Sequence, residues 1–119
     1  METTGSYING AIRSDKSNRT FPNINPANGE LISKVSIASN SEIEEAVASS
    51  RKGFEVWSKT SPERRAEVML KAVRLLRERN DEIAKIEVED TGKPIAEALE
   101  VDVASGAEAI EYFARLAPQ

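Results

Sequence analysis

The pattern of apolar and polar positions changes about one third of the way along the chain. Before Ser39, short apolar runs alternate with turn residues, which is typical of β-hairpins. Residues 7–12 place Asn-Gly between apolar pairs, the strongest short-range hairpin signal. Residues 21–24 and 31–37 predict two further strands, joined by a turn at residues 25–29. About two hairpins are therefore expected, and they would bury little by themselves.

The remaining pattern has a helical period. Four helices are expected from Ser39 onwards. Before them, Asp15–Asn18 is expected to be a polar loop between the strands. Ser41 and Glu44 fit a capping box for the first helix. Its apolar stripe would contain Ile43, Val47, Ser50 or Phe54, and Trp57.

The second helix should begin at Ser61-Pro62, with Ser61 as N-cap and proline at the first position. The stripe predicted for this helix is Ala66, Met69, Leu70, Val73 and Leu76. Asn80 is predicted to cap a third helix, and Gly92 to end it in the left-handed conformation. Pro94 would start a long fourth helix that reaches about Leu116. Its main stripe would hold Ile95, Leu99, Asp102, Gly106, Ile110 and Phe113, with Val103, Ala107 and Ala114 alongside.

A carboxylate falls on the expected inner face of the third helix. Ile83 and Ile86 set that face, and Asp90 is its next position. A charge held away from water needs a cation, a metal or several hydrogen-bond donors. Asp90 could therefore bind a hard cation together with backbone carbonyls. From the residues alone, the favoured alternative is that Asp90 caps a neighbouring helix or accepts from backbone amides, such as those that open the helix at Pro94.

Asp102 and Gly106 interrupt the stripe of the fourth helix in a similar way. They could lie beside a ligand channel, with glycine allowing close approach. The favoured alternative is an ion pair between Asp102 and an arginine of the second helix, with Gly106 serving helix packing.

Composition narrows the function classes. The chain of 119 residues has no cysteine and no histidine, which excludes a disulfide framework, a thiolate nucleophile, a Ser-His-Asp triad and a Cys/His zinc site. The net charge of -4 gives no reason to expect a nucleic-acid or membrane partner. The basic face at residues 64–79 lacks supporting aromatic residues, so a solvated helix face is expected. A soluble, cytoplasmic protein of one unit, residues 1–119, is predicted.

Several motifs resemble, in order, the amino-terminal segment of the NAD(P)-dependent aldehyde dehydrogenase superfamily. They are Tyr-Ile-Asn-Gly at 7–10, Asn-Pro-Ala-Asn-Gly-Glu at 25–30, Trp57, Arg-Leu-Leu-Arg-Glu-Arg-Asn at 74–80, Asp-Thr-Gly-Lys-Pro at 90–94 and Glu-Tyr-Phe-Ala at 111–114. The resemblance extends from about Tyr7 to Pro118. Within the superfamily, the betaine aldehyde dehydrogenase branch is most similar, because of residues 76–82 and Val101-Asp102-Val103.

The resemblance implies an α+β fragment, hairpins at 1–38 and helices at 39–119, that forms the first part of a Rossmann-like cofactor domain. The full enzyme would oxidise an aldehyde to a carboxylic acid with NAD or NADP, using a cysteine nucleophile and a glutamate that activates water. It would be a homo-oligomer, either a dimer or a tetramer. Because this chain has no cysteine, it is expected to be a fragment that is inactive alone.

The resemblance also implies two sets of site residues. Asn23, Ile24 and Asp90 match a site for a monovalent cation, K⁺ or Na⁺. Val101, Asp102 and Ser105 match positions that line the substrate tunnel, where an acidic group would suit a cationic aldehyde. The alternative function is a stand-alone, non-catalytic helical interaction module.

Overall fold

The computed structural model describes residues 3–13 and 19–119. The expected polar loop at Asp15–Asn18 lies outside the described residues. The chain divides into two compact units, one containing the strands and the first helix, the other comprising Pro26–Asn28 and Thr60–Gln119. Strands precede helices along the chain, which confirms the predicted α+β class. Among the described helices, none has both the length and the apolar character of a membrane span.

The first unit opens with a tight hairpin. Strand β1 comprises Thr3–Thr4, and strands β2 (Ser6–Ile8) and β3 (Ala11–Arg13) pair antiparallel. The connecting residues Asn9 and Gly10 have φ values of 50° and 79°. A two-residue type I′ turn requires positive φ at both positions, which asparagine and glycine tolerate best. The predicted hairpin at residues 7–12 is confirmed.

The other strands form a three-stranded sheet in the order β1-β5-β4. Strands β4 (Thr20–Ile24) and β5 (Leu31–Ser36) make the second predicted hairpin, with a register shift between Asn23 and Ile24. Pro22 is tolerated in β4 because this strand lies at an edge of the described sheet, where no second ladder needs its missing N–H. The parallel pairing of β1 with β5 was not predicted.

Helix α1 comprises Asn40–Trp57 and begins two residues earlier than the predicted capping box. Ser39 is the N-cap: its Oγ accepts from the Glu42 N–H at 3.3 Å, and its own N–H donates to Glu42 Oε2 at 2.8 Å. The box at Ser41 and Glu44 was therefore wrong. The Ser-x-x-Glu pattern occurs twice within six residues, and the earlier copy forms the cap.

The second unit is built from three long helical segments. Helix α2 comprises Pro62–Glu78 and is capped by Ser61, as predicted, with the Arg64 N–H donating to Ser61 Oγ at 3.2 Å. Helix α3 comprises Asn80–Thr91. The buried side chains are mostly small, which lets the helices approach closely; they are Ala66, Val73, Ala84, Ala98, Ala107 and Ala114.

The predicted fourth helix is interrupted. It consists of a short helix α4 (Ile95–Glu97), a π turn at Ala98–Asp102, and helix α5 (Val103–Leu116). The Val103 N–H donates to the Ala98 carbonyl, five residues back. This wider turn shifts the phase of the inward face, so Gly106 and Phe113 are exposed where the predicted stripe would bury them. The inward positions are Ala98, Val103, Ala107, Ile110 and Ala114.

Candidate functional site

A surface groove of about 400 Å³ lies in the second unit. Its apolar walls include Leu76, Ile83 and Ile110, and two carboxylates, Glu87 and Asp102, lie among them. Of the three residues predicted to line a substrate tunnel, Asp102 and Ser105 line this groove. The groove therefore combines apolar surface with a small number of polar groups, the usual composition of a small-molecule site.

Lys93 joins the two carboxylates of the groove. Its Nζ donates to Asp102 Oδ2 at 2.6 Å and lies 3.1 Å from Glu87 Oε1. These hydrogen bonds, first to Asp102 and then to Glu87, raise the pKa of Lys93. Asp102 is thus ion-paired, as one sequence-based alternative expected, but its partner is Lys93 and not an arginine of α2. Two carboxylates and one ammonium leave a single negative charge at this cluster.

The end of α3 determines where Lys93 lies. Gly92 has φ 73° and its N–H donates to the Val88 carbonyl at 2.8 Å, which confirms the predicted left-handed end. A Cβ at Gly92 would lie 3.0 Å from Pro26 Cγ and 3.2 Å from the Ala27 nitrogen. Both the backbone angle and the close packing therefore require glycine, and the next residue is directed to the groove.

The π turn is in contact with the beginning of α3. Asn80 Nδ2 donates to the Leu99 carbonyl oxygen at 3.1 Å, inside the π turn. Asn80 was predicted to cap α3, but it is the first residue of that helix, which has no side-chain cap at Arg79. The prediction failed because the N-cap position is Arg79, one residue earlier, which places Asn80 inside the first turn, where its Nδ2 donates to a residue 19 positions away. A π turn departs from the regular ladder of helical hydrogen bonds, so a carbonyl there can accept a side-chain donor.

The predicted tunnel residues all lie on or next to this turn. Val101 is in it and is 54% exposed. Asp102 is its last residue, and Ser105 Oγ donates to the Asp102 carbonyl at 3.3 Å. The packing role considered for Gly106 was wrong, because no neighbouring atom lies within 4 Å of a Cβ placed there.

The predicted cation residues are distributed over both units. Asn23 is half-buried and Ile24 is exposed on β4, in the first unit, while Asp90 belongs to α3 in the second. The inward face assigned to Asp90 was wrong for this chain: Asp90 and Ile86 are exposed, and Ala84 is the buried residue of α3. No group of three or more acidic side chains within the described residues is arranged to hold a metal ion.

Sequence reasoning assigned no role to Lys93 or Glu87. The position of Lys93, directly after the helix end at Gly92, was a usable signal, because the carbonyl-rich end of a helix favours a nearby cation. Glu87 carried no such signal, because its place in the groove depends on how α3 packs.

Residues 12–119 match the family profile described as "Aldehyde dehydrogenase family". The γ-glutamyl-γ-aminobutyraldehyde dehydrogenase of Burkholderia cenocepacia is 34% identical, with a TM-score of 0.92, over 100% of this chain and 25% of its own. An aldehyde dehydrogenase of Bacillus cereus is 32% identical, with a TM-score of 0.89, over 96% of this chain and 24% of its own.

The P. syringae indole-3-acetaldehyde dehydrogenase AldA, solved with NAD⁺ and IAA, is 33% identical, with a TM-score of 0.86, over 92% of this chain and 23% of its own. The chain thus spans about a quarter of the length of the solved structures that it matches. The family profile covers nearly all of the chain, and the solved structures share its fold at identities above 30%. These findings agree with one another. The chain belongs to the aldehyde dehydrogenase family.

Proposed function

We propose that this chain is the amino-terminal part of an NAD(P)-dependent aldehyde dehydrogenase that oxidises an aldehyde to a carboxylic acid. The observation that carries the proposal is the fold match over the whole chain to aldehyde dehydrogenases, of which AldA binds NAD⁺. The chain itself contributes the groove with its Glu87–Lys93–Asp102 cluster. The nucleophile must come from elsewhere, since these 119 residues contain no cysteine.

The test compares the protein encoded by the complete reading frame with the 119-residue chain. Both would be incubated with NAD⁺ or NADP⁺ and a panel of aldehydes, and formation of the reduced nicotinamide would be followed by its absorbance. The complete product should oxidise at least one aldehyde, and the 119-residue chain none. A folded complete product that reduces neither cofactor would overturn the proposal. The same preparation would show whether the enzyme is a dimer or a tetramer.

For the substrate we propose a cationic aldehyde, of the betaine aldehyde type, with Val101, Asp102 and Ser105 lining its path. The surplus negative charge of the Glu87–Lys93–Asp102 cluster supports this choice, because it attracts cations over several ångströms. Asp102→Asn in the complete enzyme should raise KM for a cationic aldehyde more than for a neutral one of the same size. Equal changes in both KM values would contradict the preference.

A monovalent cation at Asn23, Ile24 and Asp90 stays a prediction of the family resemblance. The donors named for it are one carboxylate and amide or carbonyl oxygens, which suit a hard cation. One exposed carboxylate gives weak binding, so further ligands would have to come from the complete enzyme. If the cation supports the fold, replacing K⁺ by a large organic cation should lower the melting temperature of the wild type, and that of Asp90→Ala much less.

A stand-alone interaction module is the second candidate. It is favoured by an apolar groove of about 570 Å³ along α1, which includes Val47 and the 69%-exposed Phe54. Contiguous exposed apolar surface of this kind usually meets another protein surface. A reading frame that encodes no cysteine-bearing catalytic segment, together with a monodisperse, cooperatively unfolding chain, would favour the module over the enzyme.

A further inference from the structure

We propose that Lys93 is a positioning residue, which holds the π turn at Ala98–Asp102 together with Asn80 and so sets the direction of Val101 and Ser105. The consequence for substrates rests on the proposed function, whereas the clamp on the π turn does not. Two side-chain hydrogen bonds from α3 and the residues after it reach the turn: Asn80 donates to the Leu99 carbonyl, and Lys93 donates to the Asp102 carboxylate.

A π turn needs support from outside the helix. Such turns are rare and hold one residue more than the regular helix, which makes return to the α-helical hydrogen-bond pattern the natural relaxation. Here the Val103 N–H donates to the Ala98 carbonyl, and Ala98 is fully buried. The fixed Ala98 side chain and the two polar contacts hold the start, the middle and the end of the turn.

Lys93 is suited to this task because its own backbone is fixed. Gly92 before it packs against Pro26 and Ala27, and Pro94 after it has a restricted φ of -62°. The Lys93 side chain is 26% exposed, so its ammonium is only partly hydrated. Glu87 Oε1 also lies 3.1 Å from the ammonium, so Lys93 has a second anionic partner beside Asp102.

The position of Val101 gives the clamp a consequence for binding. Val101 lies between the two clamped residues Leu99 and Asp102 and projects to the surface. Ser105 follows one turn later and is bonded to the Asp102 carbonyl. Release of the turn would therefore move both predicted tunnel residues, while the helix packing of α2 against α5 would remain.

The first experiment measures hydrogen exchange of the Val103 amide by NMR in the 119-residue chain. Lys93→Met keeps the length of the side chain but removes its charge, and should speed this exchange about three- to fivefold, since a half-buried ion pair is lost. Lys93→Arg should restore slow exchange. Lys85→Met is the matched control, because Lys85 is an exposed lysine on α3, the helix that precedes Lys93. The Val73 amide in α2 should exchange at the same rate in all four proteins.

The second experiment uses the complete enzyme. Lys93→Met should raise KM for a neutral aldehyde about threefold and leave kcat within about twofold, because a displaced wall weakens binding without touching the reacting groups. A neutral substrate is used because loss of the ammonium also makes the cluster more negative, which would favour a cationic one. Unchanged Val103 exchange in Lys93→Met, or an equal increase in Lys85→Met, would overturn the clamp. Faster exchange with no change in KM would overturn its role in positioning. A complete product that does not oxidise aldehydes would overturn the proposed function. The Val103 exchange rates would still show whether Lys93 holds the π turn.

Discussion

The two units of the chain differ in what holds them together. In the described part of the first unit, Ile8 is the one buried residue, and α1 has none. The second unit buries residues on α2, on α3, at the π turn and on α5. Backbone pairing therefore contributes most of the order in the first unit, while the second has a continuous helical core.

The difference shows that an amphipathic stripe does not identify a core on its own. Ile43, Val47, Phe54 and Trp57 have the spacing of a buried face in α1, yet all are exposed in this chain. In α2 the same spacing leads to Val73, which is 1% exposed. A stripe marks a surface that can be covered, and burial depends on whether a neighbouring element covers it.

The largest expected effect is on the free energy of unfolding, and it distinguishes Val73 in α2 from Val47 in α1. Val73→Asp would place a carboxylate among buried apolar groups, and should lower the free energy of unfolding by about 3 kcal/mol or more. Val47→Asp, in the predicted stripe of α1, should change it by less than about 1 kcal/mol, mostly through helix propensity. Urea unfolding of the 119-residue chain, followed by circular dichroism, measures both.

Val68→Asp provides the matched control, because Val68 lies on the same helix as Val73 and is 43% exposed. It should behave like the α1 variant. If Val47→Asp proves as destabilising as Val73→Asp, the α1 face is covered in solution, by a second molecule or otherwise. Repeating the measurement at several protein concentrations would identify self-association as the cause.

Replacing either of two glycines by alanine should change stability less, and the two changes should have opposite signs. Gly92→Ala should destabilise the chain by about 1–2 kcal/mol, because φ is positive and the new Cβ would meet Pro26 and Ala27. Gly53→Ala, in α1, should stabilise it by about 0.5–1 kcal/mol, since the space there is open and alanine favours the helix. Thermal unfolding measures both variants. If both melting temperatures shift in the same direction, either the close packing at Gly92 or the open space at Gly53 is contradicted.

The local elements could be predicted because local chemistry decides them. The Asn-Gly hairpin, the Ser61-Pro62 helix start and the Gly92 helix end each depend on residues within a few positions of one another. These features were predicted correctly. The cap of α1 was misplaced by two residues only because its local signal is duplicated.

The site was less predictable because it depends on contacts between distant residues. The sequence marks Asp102 as a carboxylate in an apolar stripe. Its pairing with Lys93 and the contact of Asn80 with Leu99 depend on the packing of α3 beside the π turn, which the sequence pattern does not show. The π turn itself left a trace: a regular helix would place the alanines at 98 and 107 on opposite faces, and one extra residue between 98 and 103 brings them closer to the same side. A strict period of 3.6 residues conceals such an insertion.

The smallest expected effect concerns pH and Glu111 in the second unit. Hydrogen bonds from Arg115 and then from Arg77 lower the pKa of this carboxyl. Because the charged form is favoured in the folded state, the stabilisation is present above the ordinary carboxyl pKa and is lost as the pH falls through the lowered one. Glu111→Gln should therefore lower the urea midpoint near neutral pH and flatten its decline on acidification.

Glu45→Gln in the first unit is the comparison for this prediction. The Glu45 carboxylate lies 3.3 Å from Arg13 Nη2, and the Arg13 and Glu45 side chains are 41% and 44% exposed, so solvent screens the pair and little stabilisation is expected from it. The test is to measure the urea midpoints of the wild type, Glu111→Gln and Glu45→Gln between about pH 7 and about pH 3. The Glu45 variant should follow the wild type, and the Glu111 variant should converge with it only at the acidic end. If both variants flatten the decline equally, acid sensitivity is not a property of the helical core, and the contrast between the two units does not extend to their charges.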